Sequence, residues 1–496
     1  FYEFTPSDVI AYYTGDLKEI KGLGMPYIPA ADVCNILDTV VPDSMGYETH
    51  IAARIVEIKI NKDLHEYVAE KLKYSSFDLC KSLSAEQVDA VGMAIYNIEV
   101  KKQGMIIGDQ TGIGKGRVAA AMIRYGCLNG MHPIFISEKP NLFTDIYRDL
   151  TDIGSSDLRP FIVNAKESKT DIKDFDGNIV YQAPDKVYQD TIFKIKKLPA
   201  EYDFICSTYS QLSSSDTKPI KPAFILAMAK DNLLVMDESH NASGSSKTGE
   251  FLQGVIKASK GVMFLSATFA KRPDNMPIYA LKTSISDANM TKEELVEAIT
   301  NGGVALQEIL ASQLVSEGQM LRRERSNEGV VDNFIVLTEK GEEHKAVFNN
   351  ITEVLRDIMN FQKDYITKVI DGMDDIAAAR NQEIRERGGT SNAGVDNAPY
   401  FSKVFMVINQ ILFSIKAKSV AELAIQRLEE GKKPIIAFSS TMESFLDELG
   451  KVGDTINIDF RTVLQNGLDG VMRYTVVDDN GDKEYKIFTP DELGVE

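Results

Sequence analysis

Between Leu83 and about Ala280 the chain alternates two patterns. Short, nearly continuous apolar runs (GMIIGD, PIFISE, FIVNA, YDFICST, NLLVMDE and GVMFLSAT) are separated by stretches with apolar positions at helical spacing. A strand that is apolar on both sides is buried on both sides, as in a parallel sheet covered by helices. The alternation of strand and helix therefore predicts an α/β fold with a doubly wound parallel sheet. Residues 1–82 carry shorter helical patterns broken by Gly and Pro, as in GLGMPYIPAADV and VVPDSMG, and are expected to form an N-terminal extension.

Beyond Ala280 the texture changes. The basic stretch LRRERS at 321–326 reads as a solvated helix face, with the lining of a groove as the alternative. A long helical pattern covers about 341–387 and stops at RERGGTSNAGVDNAPY, a linker rich in Gly and Asn. Then come a helix, AKSVAELAIQRLEEGK, and a strand, PIIAFSST, which together resemble the start of a second α/β domain. The run YTVVDDNGDKEYKIF, with Asn-Gly between two alternating segments, predicts a hairpin.

With 496 residues the expectation is two or three domains, and 44% hydrophobic with 26% charged residues suits a globular chain with ample core. No apolar run approaches the roughly 18 residues that suggest a membrane span. The N-terminus FYEFTPSDVI has neither Met nor a signal pattern, so a piece of a longer or processed chain is expected. Cys34, Cys80, Cys127 and Cys206 lie far apart and are expected to be reduced, mostly buried thiols.

The chemistry concentrates in three stretches. In IIGDQTGIGKGRVAAAMI, residues 106–123, a strand runs through a Gly-rich turn into a helix. Gly112 and Gly114 permit a tight loop with its backbone close to phosphates, and Lys115 reaches the β- and γ-phosphates. The Ser or Thr that usually follows this lysine and touches Mg2+ is replaced by Gly116. In NLLVMDESHNASG, residues 232–244, an apolar strand ends in two carboxylates. Asp237 is the candidate Mg2+ holder, and Glu238 the candidate base that polarises the attacking water. In VMFLSATFAKRP, Ser266 and Thr268 end another strand, where small hydroxyls can bond to the Asp-Glu-Ser-His stretch.

The order of phosphate loop, DESH and SAT is the signature of superfamily 2 helicases and translocases, whose motors pair two RecA-like domains. GDQTGIGKGR, DESHNASG and LSATFAKRPDNMPIYA resemble the strawberry notch family and its bacterial and phage relatives. Those relatives include long helicase–methyltransferase polypeptides linked to DNA modification and antirestriction. LSAEQVDAVGMAIYNIE, EKPNLFTDIYRDL and RRERSNEGV are similar to the same group. The resemblance spans most of residues 25–445 and is densest between 84 and 280. It implies a RecA-like P-loop NTPase domain at 83–280, a linker and largely helical insertion at 281–400, and an incomplete second RecA-like domain at 401–496. Family members carry Gly-Lys-Gly-Arg in the loop, so Gly116 belongs to the pattern.

Residue by residue, the resemblance implies that Thr111, Gly112, Ile113, Gly114, Lys115, Gly116 and Arg117 bind ATP and that Gln87 in LSAEQ recognises adenine. It also implies that Lys115, Asp237 and Glu238 carry catalysis and that His240 couples the site to Ser266 and Thr268. Arg117 reaches either a phosphate or a carboxylate. Ser137, Lys139, Thr208, Tyr209, Ser439 and Ser440 stand where related motors contact a nucleic-acid backbone. The expected activity is ATP- and Mg2+-dependent translocation along, or remodelling of, nucleic acid, with DNA favoured. Methyltransferase or other domains in the same or a neighbouring polypeptide are the expected partners, without a membrane. The expected setting is the cytoplasm of a bacterial or phage-infected cell, with virion association the alternative. A net charge of −18 and the absence of a Gln-Arg-x-Gly-Arg stretch favour a second reading, a nucleotide-binding scaffold or regulatory module without motor activity. A small-molecule or nucleotide kinase fits the motif order poorly.

Overall fold

The structure, a computed structural model, describes residues 24–42, 45–212, 220–242, 247–267, 273–288, 290–326, 329–331, 333, 335, 341–386, 394–396, 416–437, 468–469, 471–477 and 483–493. The chain divides into two compact units, 1–330 and 331–496.

The first unit opens with β1 (Gly24–Pro26), β2 (Thr39–Pro42) and helices α1 (Gly46–Ile60), α2 (Leu64–Leu72), α3 (Ser76–Ser82) and α4 (Ala85–Tyr96). The sequence caps two of these helices. Ser75 accepts from the Asp78 amide, and Ser84 with Gln87 forms a reciprocal capping box. Helix α4 is buried all round, its acidic residues included. They are tolerated there because the β1–β2 segment supplies donors. Asp89 accepts from the Tyr27 hydroxyl at 2.6 Å and from the amides of Ala30 and Ala31, and Glu86 accepts from the Leu37 amide at 2.9 Å. Leu64, Val68 and Leu79 share one apolar cluster with Met105, Val118 and Val235, so these N-terminal helices pack into the core of the sheet.

The sheet is built from β3 (Met105–Ile107), β4 (Ile134–Ser137) and β5 (Pro160–Ile162), then, after a small antiparallel pair, β6 (Ile172–Lys173) and β7 (Ile179–Tyr181), from β8 (Phe204–Thr208), β9 (Leu233–Asp237), β10 (Gly261–Leu265) and β11 (Met320–Leu321). Its seven strands run in the order β11-β3-β10-β9-β4-β8-β5, and every pairing is parallel. The six apolar runs form six of these strands. Neighbouring residues alternate between faces: Ile107 joins the cluster on one side, Ile106 the cluster on the other. Helices α5 (Lys115–Leu128), α6 (Leu142–Asp152), α7 (Lys186–Ile195), α8 (Ile220–Ala229), α9 (Lys247–Ala258), α10 (Met276–Ala280) and α11 (Lys292–Ser316) connect and cover the sheet. Parallel strands bring all their C-terminal ends to one edge, where open α/β sheets bind ligands.

Three sequence expectations meet a different structure. The LRRERS stretch is not helical: Leu321 ends β11, and β12 (Glu324–Arg325) pairs antiparallel with β2. Its Arg323 is fully buried, held by a carboxylate that helical periodicity does not reveal. Cys34 and Cys80 are joined as a disulfide across 46 residues of sequence, because the β1–β2 segment folds back over α3, while Cys127 and Cys206 are free. The third is the PIIAFSST strand. Residues 434–437 form no strand, and 438–441 lie outside the described residues. A parallel strand needs neighbours to bond with, and none of the described strands pairs with this run.

The second unit contains α12 (Gly341–Phe361), a π-helical turn at Gln362–Ile366, α13 (Thr367–Glu386) and a helix at 416–429. An antiparallel sheet β13 (Gly394–Asp396), β14 (Arg473–Val477) and β15 (Lys483–Ile487) includes the expected hairpin, whose Asn-Gly turn lies outside the described residues. Leu355, Ile366 and Ile370 pack with Tyr474 and Phe488. No described helix is long and apolar enough to cross a membrane.

Candidate active site

The phosphate loop connects β3 to α5. Gly112 and Gly114 take φ values of 97° and 92°, the left-handed region that glycine enters without strain. At Gly114 a Cβ would also stand 2.2 Å from Gln87 Nε2, so a side chain there would have to displace the Gln87 amide. Gln87 donates from Nε2 to the Ile113 carbonyl at 3.0 Å and accepts from the Ser84 amide at 3.0 Å. Its amide group thus ties the start of α4 to the loop. Lys115 begins α5 and donates from Nζ to the Asp109 carbonyl at 2.7 Å. Ile113 is buried and Thr111 exposed. Arg117 turns to a carboxylate, Asp152, at 2.7 Å, and away from the loop.

The loop is braced from 214 residues downstream, which sequence reasoning missed. Amides of Gly108 and Gln110 donate to the carbonyls of Leu321 and Arg323 at 2.7 and 2.8 Å. The buried Arg323 guanidinium donates from Nε and Nη2 to the two oxygens of Asp109 at 3.1 and 2.6 Å, and from Nη1 to the Glu86 carbonyl at 2.7 Å. Its face lies 5.0 Å from the centre of the Tyr27 ring. Arg325 donates to the carbonyls of Leu37 and Gly112 at 2.9 and 3.2 Å. The basic run is therefore a strap under the loop. The only sequence signal for it was an unusual density of arginine after an apolar pair.

Two strands along the sheet from β3, β9 ends in Asp237, which Glu238 follows. Burial first, and the neighbouring Glu238 charge second, push the Asp237 carboxyl up to about 6, while the Lys115 charge pulls it down. Glu238 sits at φ 46°, a costly conformation for a residue with a side chain, of the kind that clusters at functional sites. Three contacts hold this turn. The buried Tyr209 hydroxyl donates to the Asp237 carbonyl at 2.7 Å, Ser239 Oγ bonds with the Tyr279 hydroxyl at 2.9 Å, and Asn275 Nδ2 donates to the His240 carbonyl at 3.1 Å. His240 Nδ1 stands 2.8 Å from Ser266 Oγ and 3.4 Å from Glu238 Oε2. The expected pair of His240 and Ser266 is thus brought together. Thr268 lies outside the described residues. The roles of Tyr209, Asn275 and Tyr279 in holding the turn were not foreseen.

The side chains proposed to meet nucleic acid divide. Ser137 and Thr208 are fully buried and Tyr209 nearly so; the hydroxyls of Ser137 and Thr208 bond to the Lys139 carbonyl and to Asn164 and Ser210. Lys139 is exposed, and Ser439 and Ser440 lie outside the described residues.

Asp237 and Glu238 offer only oxygen ligands beside a lysine, the donor chemistry that suits Mg2+ and leaves room for phosphate oxygens. Helix α6 adds another carboxylate next to the loop. The Asp149 carboxyl is pushed up to about 6 by burial, against the lowering charges of Arg148 and Arg117. A glycine-lined loop at a helix N-terminus, a lysine, and an Asp-Glu pair at the end of a strand two along can together bind a nucleotide polyphosphate and activate water.

The family model for P-loop containing NTP hydrolase pore-1 matches residues 40–350. The chain belongs to this family. Among curated relatives, this NTP hydrolase family member is 29% identical over 263 residues to human protein strawberry notch homolog 2, covering 50% of this chain and 18% of that one. It is 25% identical over 345 residues to Drosophila melanogaster protein strawberry notch, with 59% and 19% covered. It is 24% identical over 398 residues to Gallus gallus protein strawberry notch homolog 1, with 76% and 29% covered. The chain thus spans less than a third of the length of these relatives. A solved Sulfolobus solfataricus SWI2/SNF2 ATPase core in complex with dsDNA is similar at a TM-score of 0.33 and 14% identity, over 55% of this chain and 52% of that one.

Proposed function

We propose that this protein hydrolyses ATP with Mg2+ and couples hydrolysis to movement along, or remodelling of, nucleic acid, with DNA the favoured substrate. The observation that carries the ATPase reading is that Lys115 lies close enough for its charge to pull down the Asp237 carboxyl, at the sheet edge that carries both the left-handed loop glycines and the strained Glu238 turn. In this reading Lys115 takes the β- and γ-phosphates, Asp237 holds Mg2+, and Glu238 accepts a proton from the attacking water. Mg2+ supplies charge neutralisation at the phosphates when bound. Loop amides of residues 111–117 cradle the phosphates, and in the same reading Gln87, whose amide the fold already bonds to Ser84 and Ile113, recognises adenine beside the loop.

The hydrogen bond between His240 and Ser266 supports coupling, because it joins the segments after β9 and β10 through a ring that stands 3.4 Å from Glu238. An incomplete second RecA-like domain over 401–496, a catalytic arginine delivered from sequence downstream of the site, and a partner methyltransferase belong to the same reading, as does a cytoplasmic bacterial or phage setting. The nucleotide-binding scaffold remains the second reading, favoured by the net charge of −18 and by the burial of three of the four described backbone-contact candidates. Turnover measured with no nucleic acid, single-stranded DNA, duplex DNA and RNA, each at two salt concentrations, decides between them. Stimulation by DNA that fades at high salt supports the motor, and nucleotide binding indifferent to every nucleic acid supports the scaffold.

A further inference from the structure

Most loops of this kind follow lysine with a hydroxyl, and this one has Gly116. The structure shows what occupies the vacated space. A Cβ built on Gly116 would lie 2.0 Å from Asp149 Oδ2 and 3.0 Å from its Cγ, so the carboxylate fills the volume of a serine or threonine side chain. Asp149 is on α6, one turn after Asp145, whose charge reaches Asp237. The carboxylate thus comes from the helix packed against α5 and stands where a side chain at position 116 would be. The arginines beside it are committed elsewhere, Arg117 to Asp152 at 2.7 Å and Arg148 to Asp145 at 3.2 Å. The half-buried Asp149 carboxylate has no hydrogen bond or ion pair among the described residues.

We propose that Asp149 replaces the missing loop hydroxyl and supplies, from α6, an oxygen ligand to the Mg2+ that accompanies the nucleotide, directly or through one water. This rests on the nucleotide reading of the loop. The exchange has a consequence that a hydroxyl would not have. A carboxylate adds a negative charge beside a triphosphate, which repels nucleotide without metal and attracts it with metal. ATP affinity therefore depends more steeply on Mg2+ than it would with a neutral ligand. Positions 116 and 149 also form a pair: a serine at 116 or the aspartate at 149 can supply the oxygen, and a serine side chain would have to displace the Asp149 carboxylate from where it now stands.

The test compares wild type, Asp149→Asn, Gly116→Ser and the double variant Asp149→Ala/Gly116→Ser in the full chain. ATP affinity is read by calorimetry with Mg2+ and with EDTA, Mn2+ binding in the presence of ATP by electron paramagnetic resonance, and folding by circular dichroism. The expected result for Asp149→Asn is a loss of roughly 10–100-fold in Mg2+-ATP affinity, the range found when metal-supporting groups are removed. Its ATP affinity in EDTA should be unchanged or tighter, and its Mn2+ binding weaker. Gly116→Ser alone should lose Mg2+-ATP affinity by collision with Asp149, and the double variant should regain most of it. Wild-type metal dependence in Asp149→Asn overturns the proposal, as does an equal loss with and without metal, or a double variant no better than the worse single one. If wild type binds no ATP in either condition, the nucleotide reading itself fails and the proposal with it.

Discussion

Replacing Arg323 by Met tests whether the strap under the phosphate loop matters. The guanidinium is fully buried and Asp109 is 1% exposed, with two charge-assisted bonds between them and a third to the Glu86 carbonyl. Met keeps much of the volume and removes the charge, so the Asp109 carboxylate keeps only the Arg323 backbone amide at 3.0 Å. Breaking a buried pair from one side costs about 3–5 kcal/mol, because an uncompensated charge stays behind. At roughly 2 °C per kcal/mol for a large domain, the calorimetric midpoint of the first unit should fall by about 6–10 °C. Arg325→Ala, which loses only exposed bonds to two carbonyls, should cost about 1 kcal/mol or roughly 2 °C. Adding Asp109→Leu to Arg323→Met should recover more than half of the loss, since the orphaned charge is then gone. The reasoning is refuted if Arg323→Met unfolds within about 2 °C of wild type, or if the double variant loses the sum of the two single ones.

Other substitutions probe separate features. Glu238→Gln should retain ATP binding and lose at least roughly 10²-fold in turnover, as expected for a general base; single-turnover kinetics with labelled ATP reads both. Gly114→Ala should disorder the loop through its φ of 92° and the collision with Gln87, seen as a loss of nucleotide protection in hydrogen exchange. Burial raises the Asp89 carboxyl from 3.8 to about 6. The folded state therefore binds a proton between those values that the unfolded chain has released, and the contribution of Asp89 to stability is full below about 4 and lost as pH rises through about 6. The stability gap between wild type and Asp89→Asn, measured by urea unfolding, should accordingly narrow from pH 4.5 to pH 7.5. A gap that widens contradicts the assignment.

The strands and the loop were legible in the sequence because continuous apolar runs and paired glycines are local signals. Asp237 and Glu238 were legible for the same reason, as consecutive carboxylates ending an apolar run. What stayed hidden depends on contacts between distant segments. Nothing near Asp109 announces Arg323, and nothing near Gly116 announces Asp149, because sheet order and helix packing create those pairs. The disulfide between Cys34 and Cys80 was missed for that reason too, with spacing that matches no familiar pattern. Ser137 and Thr208 show the converse: their residue types suit phosphate contacts, but both lie at the ends of central strands and are buried there. Gln87 combines the two cases. Its place ahead of the first core strand is readable, whereas its bond to the loop carbonyl and its part in a capping box come from the fold.

The central claim is that the loop around Lys115 is a nucleotide site, and titrating ATP with Mg2+ into wild type and Lys115→Ala by isothermal calorimetry tests it most directly. A charge-assisted bond to phosphate contributes about 1.5–3 kcal/mol. The account therefore predicts saturable one-site binding to wild type and a loss of roughly 10–100-fold in the variant. Equal affinity in the two proteins, or no binding to either, would contradict it.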